Sequence, residues 1–255
     1  MDLTRDTRNV GLARALSKLG YCSRSQAADL IRAGRVRLNG TPRKDPETPV
    51  RLQRDRIEVD GHTVASASKI YLMLNKPRGL VTSAADEKGR DTVYSCLSEG
   101  LPWVGPVGRL DKASEGLLLL TNDSEWAARI TDPQSHLDKT YHVQVGAQSH
   151  EGLEAALLKG VRTEKHELLR AKRAHIVRGG ERNTWLEIVL DEGRNRQIRR
   201  IFDVLALEVL RLIRIAIGPI ELGPLPKGQF RTITSDEKKA LDGALRASRT
   251  KDVVR

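Results

Sequence analysis

The stretch GRLDKASEGLLLLTND, residues 108–123, joins a charged turn to a run of four leucines. A short apolar run bounded by polar residues is typical of a strand that is buried on both faces, so residues 117–121 are predicted to form one. Asp111 stands just ahead of this strand. A carboxylate beside a buried strand stays ionised only when a cation lies near it. A nucleophilic or general-base role for Asp111 therefore needs an arginine from elsewhere in the chain, and the alternative is that Asp111 caps a turn.

A second motif, GRNRQIRRIF at residues 193–202, follows an apolar strand and opens a predicted helix with an apolar stripe that includes Ile198. Three arginines project from the other sides of this helix: Arg196, Arg199 and Arg200. These arginines are interpreted either as phosphate ligands or as the source of the cation that Asp111 requires, and both interpretations can hold for different arginines.

The order of elements after residue 70 is mixed, which predicts an α+β fold. Strands are predicted at 70–74, 117–121, 140–145, 185–190 and 209–216, and helices near 124–130, 151–158, 194–206 and 235–247.

The length of 255 residues indicates a small module followed by a larger domain, and 39% hydrophobic residues suffice for a core. The polar stretch 66–69 lacks periodicity and is interpreted as a linker between a module at 9–65 and a catalytic domain at 70–245. The tail at 246–255 is basic and aperiodic, and it is predicted to be disordered.

The formal net charge of +11 indicates a polyanionic partner, because phosphates attract such a surface. No apolar run approaches the ~20 residues of a membrane span, and no secretory or lipidation signal opens the chain, so a cytoplasmic protein is expected. There is no Gly-x-Gly and no Gly-Lys, which argues against a dinucleotide fingerprint and a phosphate loop. The two cysteines and the scattered histidines show no metal-ligand spacing.

The first 65 residues carry 13 Lys and Arg against 8 Asp and Glu, and their pattern predicts two helices followed by a hairpin. Leucines and alanines at 12–19 have helical spacing, and Ser23 with Gln26 forms a capping box that opens the second helix. That helix ends at Gly34, and the Asn39-Gly40 pair predicts a hairpin turn. A helix-turn-helix DNA reader is the competing interpretation.

The segment from Leu12 to Gly40 also closely resembles the S4 RNA-binding module, through a Ser-Arg pair opening its second helix and Gly-Arg-Val-x-Leu-Asn-Gly entering its hairpin. The resemblance implies that the module binds structured RNA through a basic face. The positions expected to contact RNA are Arg14, Lys18, Arg24, Arg35 and Arg37.

The larger domain resembles the RsuA family of ribosomal RNA pseudouridine synthases in three motifs: Gly-Arg-Leu-Asp with Ser-Glu-Gly-Leu-Leu, Lys-Thr-Tyr at 139–141, and Gly-Arg-Asn-Arg-Gln-Ile-Arg-Arg. The resemblance implies that Asp111 is the catalytic aspartate, that Tyr141 stacks on an extruded uracil, and that Arg199 pairs with the aspartate. Without the motif, Tyr141 is equally well a tyrosine of the strand core. The substrate pocket is expected to include Ile198 and Arg109, with Arg109 touching an RNA phosphate, while Arg196 and Arg200 are expected to bind RNA.

The resemblance further implies isomerisation of a uridine in ribosomal RNA, with a preference for the large subunit, and neither a metal nor another cofactor. The loop at 76–79 is interpreted as structural support with at most a secondary RNA contact. The partner is expected to be ribosomal RNA, free or in a ribosome assembly intermediate, and the chain is expected to act as a monomer. The alternative function is that of a noncatalytic RNA-binding assembly factor.

Overall fold

The computed structural model describes residues 9–84, 89–146 and 152–252, and the chain divides into two compact units. The first unit contains the residues up to Tyr71 together with Ser98–Gly105 and Thr121–Ser124. The second unit contains Leu72–Leu97, Pro106–Leu120 and the residues from Glu125 onward. Sequence patterns did not predict that 98–105 and 121–124 group with the first unit.

The first unit is a helical pair with a small antiparallel sheet in the order β3-β2-β5-β6 and a separate pairing of β1 with β4. Its elements are β1 (Val10–Gly11), α1 (Leu12–Lys18), α2 (Arg24–Arg32), β2 (Val36–Leu38), β3 (Thr41–Arg43), β4 (Pro49–Val50), β5 (Ile57–Val59) and β6 (His62–Thr63).

The predicted capping box and the predicted hairpin turn are both present in the first unit. The Ser23 hydroxyl accepts a hydrogen bond from the Gln26 amide at 3.2 Å, and the Gln26 side chain accepts one from the Ser23 amide at 3.0 Å, so the predicted capping box is present. Asn39 and Gly40 both have positive φ, as the two-residue turn between β2 and β3 requires.

The segment predicted to be a linker forms no helix or strand, but hydrogen bonds hold it in place. Asn122 accepts a bond from the Ile70 amide at 2.9 Å and donates one to the Ser68 carbonyl at 2.8 Å. The Ala67 amide donates to the carbonyl of Leu19 at 2.9 Å. These bonds explain why the turn at 121–124 groups with the first unit.

The remaining elements build a mixed sheet in the order β13-β14-β10-β15-β9-β7-β17, which confirms the α+β class. They are β7 (Tyr71–Lys76), a 3₁₀ turn (Val93–Cys96), β8 (Gly105–Pro106), β9 (Glu115–Thr121), α3 (Ser124–Thr131), a 3₁₀ turn (Pro133–Ser135), β10 (Lys139–Val145), α4 (Leu153–Lys159), β11 (Val161–Arg162), β12 (Leu168–Leu169), β13 (Arg173–Gly179), β14 (Thr184–Leu190), α5 (Gln197–Val204), β15 (Val209–Ile217), β16 (Ile220–Glu221), β17 (Phe230–Thr232) and α6 (Ser235–Asp252).

Five predicted strands and four predicted helices are present with small shifts at their ends, although residue 151 of one predicted helix lies outside the described residues. The sequence pattern missed β13, an edge strand in which only Ala174 and Ile176 pack against the core, too few to form a clear alternating pattern. Around β10 the pairings with β14 and β15 are antiparallel, whereas β15 pairs with β9 in parallel. Helices α4 and α5 contribute buried leucine, isoleucine and phenylalanine side chains to the core on one face of β10.

The prediction of disorder from residue 246 is wrong as far as Asp252, because α6 continues to that residue. Leu241 and Leu245 lie one turn apart and are both buried, so the helix is anchored immediately before the predicted tail. No glycine or proline follows Leu245 up to Asp252 to stop the helix. Residues 253–255 lie outside the described residues.

Candidate active site

Asp111 lies in the turn between β8 and β9, at the rim of the buried sheet. All seven residues of β9 are buried, as the leucine run predicts, but the Asp111 side chain is 36% exposed. The Asp111 carboxylate is thus accessible to solvent, although the strand that follows it is buried on both faces.

The backbone of this turn is bound from several sides. Lys76 at the end of β7 is fully buried, and its ammonium donates to the carbonyls of Asp111 at 3.2 Å and Ser114 at 2.9 Å. The Gly79 amide donates to the Lys112 carbonyl at 2.8 Å, and the Thr82 hydroxyl donates to the Leu110 carbonyl at 2.8 Å. Segment 76–79 is therefore the support of the Asp111 turn, and the buried lysine is a site residue whose role the sequence did not reveal.

Burial lowers the pKa of Lys76 from its usual 10.5 to about 8, and the nearby Asp111 and Glu115 offset only part of this effect. The folded protein releases the proton near pH 8, while the unfolded chain holds it to about pH 10.5, so folding stability from this group rises with pH between those values. We expect the unfolding free energy of wild type, measured relative to that of Lys76→Met, to rise by about 2 kcal/mol from about pH 7.5 to about 9.5. Urea denaturation at both pH values measures it.

The matched control is Lys112→Met, because Lys112 is an exposed lysine of the same turn. Its difference from wild type should stay constant across the same pH range. A constant difference for Lys76→Met as well would contradict the burial of its charge.

Tyr141 and Ile198 both belong to the second unit and line the same cavity. Tyr141 lies on β10 and is half-buried against the cluster that contains Ile198, the first apolar residue of α5. Both side chains line a cavity of about 530 Å³ that also receives Asp111 and Arg109. Arg109 is exposed at the cavity edge. The predicted aspartate, tyrosine and isoleucine thus share one cavity.

The cation that pairs with Asp111 is Arg196, with 3.6 Å between its Nη1 and the carboxylate Oδ2. Arg196 has a left-handed backbone (φ 48°) just before α5 begins at Gln197. Arg199 was predicted to be that partner, but it donates to the carbonyls of Ala113 at 3.1 Å and Val209 at 3.4 Å. Sequence reasoning placed the cation on the correct segment, but it could not anticipate the irregular backbone that presents Arg196 instead.

Arg199 nevertheless lies within electrostatic reach of the site. Its pKa is lowered from the usual value, first by burial and next by the neighbouring charge of Arg196, whereas Asp111 acts in the opposite direction. Within the described part of the chain, its buried Nε has no hydrogen-bond partner. Arg200 is engaged elsewhere, because it shares Glu167 with Arg194.

The positions predicted to bind RNA in the first unit are mostly exposed. Arg35 pairs with an acidic residue: its Nε lies 2.9 Å from Asp60 Oδ1 and its Nη2 2.5 Å from Oδ2. Lys18 is half-buried. The exposed positions are Arg14, Arg24, Arg35 and Arg37.

Three further cations line the cavity, Lys139, Arg194 and Arg214, and none of them was assigned a role from the sequence. Lys139 begins β10, and Arg214 on β15 is only 6% exposed. The signal that could have found Lys139 is its place two residues before Tyr141, which puts both side chains on one face of a strand. Among the described residues no cluster of His, Cys, Asp and Glu could hold a metal ion.

Gly116 allows β9 and β15 to approach each other beside this cavity. Its φ is +100°, and a Cβ added there would lie 2.3 Å from the carbonyl oxygen and 2.8 Å from the amide nitrogen of Arg214. The glycine of the Ser-Glu-Gly motif is therefore required by backbone conformation and by space.

Comparison with known proteins identifies both parts of the chain. Residues 70–203 match the RNA pseudouridylate synthase family, and residues 10–57 match the S4 domain. The chain is 35% identical over 232 residues to ribosomal large subunit pseudouridine synthase B of Bacillus subtilis (strain 168), covering 90% of this chain and 94% of that protein. An uncharacterized RNA pseudouridine synthase of Aquifex aeolicus (strain VF5) is 37% identical over 229 residues, covering 89% and 92%.

Among solved structures, a crystal structure of a pseudouridylate synthase superposes with a TM-score of 0.63 and 31% identity, covering 91% of this chain and 99% of that one. Within the part of the chain that the structure describes, no helix is long and apolar enough to cross a membrane.

Proposed function

Because this chain belongs to the RNA pseudouridylate synthase family, we propose that it isomerises a specific uridine of ribosomal RNA to pseudouridine with Asp111 as the catalytic carboxylate. The chain is an RNA pseudouridine synthase, and therefore an isomerase. Its Bacillus relative is named for the large ribosomal subunit, which supports large-subunit RNA as the substrate.

The observation that carries the proposal is the convergence of Asp111, Tyr141 and Ile198 on one cavity of about 530 Å³. A cavity of this size accepts a single nucleotide, but a duplex cannot enter it. The uridine must therefore leave its stack before it reaches Asp111. The half-buried ring of Tyr141 offers a face on which the extruded uracil can stack.

The reaction breaks the bond between N1 of uracil and C1′ of ribose and forms one between C5 and C1′. A proton leaves C5 and a proton is gained at N1, so no oxidant, reductant or co-substrate is consumed. Asp111 can serve by attacking the base, by attacking C1′ or by removing a sugar proton, and each course needs its ionised form. The guanidinium of Arg196 lies 3.6 Å from this carboxylate and carries the opposite charge.

Arg199 acts in this proposal on the turn that holds Asp111. Its bond to the Ala113 carbonyl places a guanidinium two residues from the carboxylate. Arg109 at the exposed edge of the cavity is assigned to a phosphate of the RNA, together with Arg196 once RNA is bound. Arg200, which contacts Glu167, is the weakest member of the predicted RNA-binding set.

We assign residues 9–65 to RNA binding, 66–69 to the linker and 70–245 to catalysis. The partner is ribosomal RNA, free or in an assembly intermediate, bound by one copy of the chain in the cytoplasm. The match of residues 10–57 to the S4 domain and the net charge of +11 support an RNA partner.

The test of the function is chemical mapping of pseudouridines. Ribosomal RNA from cells that lack the gene should lose pseudouridine at one uridine, and purified protein should restore it on the corresponding transcript. Full modification without the gene, together with no product from the purified protein, would contradict the proposal. That result would favour a noncatalytic assembly factor.

Salt dependence tests the RNA-binding positions of the first unit. Each phosphate contact that is lost should reduce the slope of log affinity against log salt by about one. We expect this reduction for Arg24→Gln and for Arg37→Gln, because both side chains are exposed and neither has a described acidic partner. Filter binding to a ribosomal RNA transcript over a range of salt concentrations measures the slope.

Arg35→Gln is the matched control. The Asp60 carboxylate already neutralises this arginine, so its replacement should change the slope less than the other two. Deletion of residues 1–65 should flatten the slope further than any single variant. An unchanged slope after that deletion would refute the assignment of the module to RNA binding.

A further inference from the structure

Arg214 occupies the centre of the candidate active site. It lies on β15, is 6% exposed, and lines the cavity that contains Asp111 and Tyr141. Its Cα is paired directly with that of Tyr141 across the antiparallel β10 and β15 strands. Residues directly opposite each other in such a pair project from the same face of the sheet. Arg214 and Tyr141 therefore project from the same face of the sheet and line the same cavity.

The hydrogen bonds of Arg214 leave one side of its guanidinium unused. Nε donates to the Leu117 carbonyl at 2.8 Å, and among the described residues Arg214 makes no other hydrogen bond. Within the described ranges, Arg214 forms no ion pair with a carboxylate, Asp111 included. A buried N–H without an acceptor is costly, so such a group in a cavity indicates an acceptor supplied by a ligand.

A second cation, Lys139, lies within electrostatic reach of Arg214. Lys139 lines the same cavity, and its pKa is lowered first by burial and next by the charge of Arg214. On the other side the backbone of Gly116 approaches so closely that no side chain separates β9 from Arg214. A neutral acceptor such as a carbonyl oxygen can approach these cations, whereas a donor such as an amino group cannot do so favourably.

We infer that Arg214 selects uracil, by donating a hydrogen bond from its guanidinium to the O4 atom of the base stacked on Tyr141. The inference rests on the proposed function and adds to it the residue that determines which base is accepted. Asp111 must reach the glycosidic side of the base, where every version of the chemistry occurs. Among the described residues Arg214 forms no ion pair with Asp111, and we assign it to the opposite edge of the ring, where uracil carries O4. Cytosine carries an amino group at that position and presents a donor to a donor.

The experiment compares wild type with Arg214→Met and Arg214→Lys, and uses Arg211→Met as the control. Arg211 is on the same strand but pairs with Glu115 and lies over the ring of Trp185. Two measurements are made: calorimetric titration with UMP and with CMP as probes, and tritium release from a ribosomal RNA transcript labelled with [5-³H]uridine. Thermal midpoints of all variants are recorded in parallel.

We expect wild type and Arg211→Met to bind UMP at least ~10-fold more tightly than CMP, and Arg214→Met to bind the two within about twofold of each other. Tritium release by Arg214→Met should fall by about 100-fold. Arg214→Lys keeps the positive charge but loses the planar guanidinium with its several N–H donors. It should therefore show an intermediate UMP preference and an unchanged thermal midpoint.

An equal loss of affinity for UMP and CMP in the Arg214 variants, or a wild-type protein that does not distinguish the two probes, would overturn the inference. A lowered thermal midpoint with an unchanged preference for UMP would likewise assign Arg214 to structure alone. These outcomes leave the proposed function standing as long as wild type releases tritium. The absence of release by wild type from any ribosomal RNA would overturn the function, and the inference with it.

Discussion

Replacing Asp111 with asparagine should lower the rate of pseudouridine formation by about three orders of magnitude or more, while RNA affinity and thermal midpoint change little. The change removes the one carboxylate that the Gly-Arg-Leu-Asp turn delivers to the cavity. It leaves the turn itself intact, because Lys76 and Thr82 bind backbone carbonyls of residues 110–114. Tritium release under single-turnover conditions with saturating enzyme measures the chemical step separately from binding.

The matched control is Asp132→Asn. Asp132 lines the same cavity, and its side chain accepts a hydrogen bond from the Gln134 amide at the start of a 3₁₀ turn. Asparagine can keep this cap, so the variant loses the same charge from the same cavity without losing the local structure. It should retain most of the activity. Turnover by Asp111→Asn at a rate similar to that of Asp132→Asn would exclude Asp111 from the chemistry.

Gly116→Ala should destabilise the fold by about 3 to 5 kcal/mol and lower the thermal midpoint by about 6 to 20 °C. The added Cβ would lie 2.3 Å from a backbone oxygen of Arg214, and the backbone holds a φ of +100° that L residues rarely adopt. Neither strand can shift freely, because β9 is buried along its length and β15 is paired with β10 on its other side. Differential scanning calorimetry measures the change.

Gly193→Ala provides the comparison within the same cavity. Gly193 also lines it, but no atom lies within 4 Å of the position where its Cβ would be, and its φ is not positive. The thermal midpoint of this variant should stay close to that of wild type. Equal stability of the two variants would mean that β9 and β15 are not in the close parallel contact described here.

Much of the fold is predictable because local chemistry decides it. The Ser23 and Gln26 capping box, the Asn39-Gly40 turn and the leucines of β9 each determine their element from a few neighbouring residues. Strand β13 escaped prediction because only its backbone pairing with β14, and not an alternation of side chains, identifies it. The helical residues after Leu245 escaped because their anchor lies before them in the sequence.

The candidate site was predictable to the level of motifs but not of contacts. Spacing cannot show that Lys76 donates to the turn 35 residues later, since that contact depends on the order of β7 and β9 in the sheet. The same limit applies to Arg214, whose proximity to Tyr141 follows from the register of β10 with β15. Arg196, and not Arg199, pairs with Asp111 because the backbone of Arg196 itself is left-handed.

The complete burial of β9 also has a kinetic consequence for the carboxylate that precedes it. Amides of a strand that is covered on both faces exchange with deuterated solvent only through large-scale unfolding, whereas those at an exposed helix start exchange through fast local opening. Asp111 precedes β9, a strand whose amides are expected to exchange slowly. Arg196 lies in the exposed segment before α5, whose amides are expected to exchange quickly. We therefore expect slow deuterium exchange at the amides of residues 115–121 and fast exchange at those of residues 193–196.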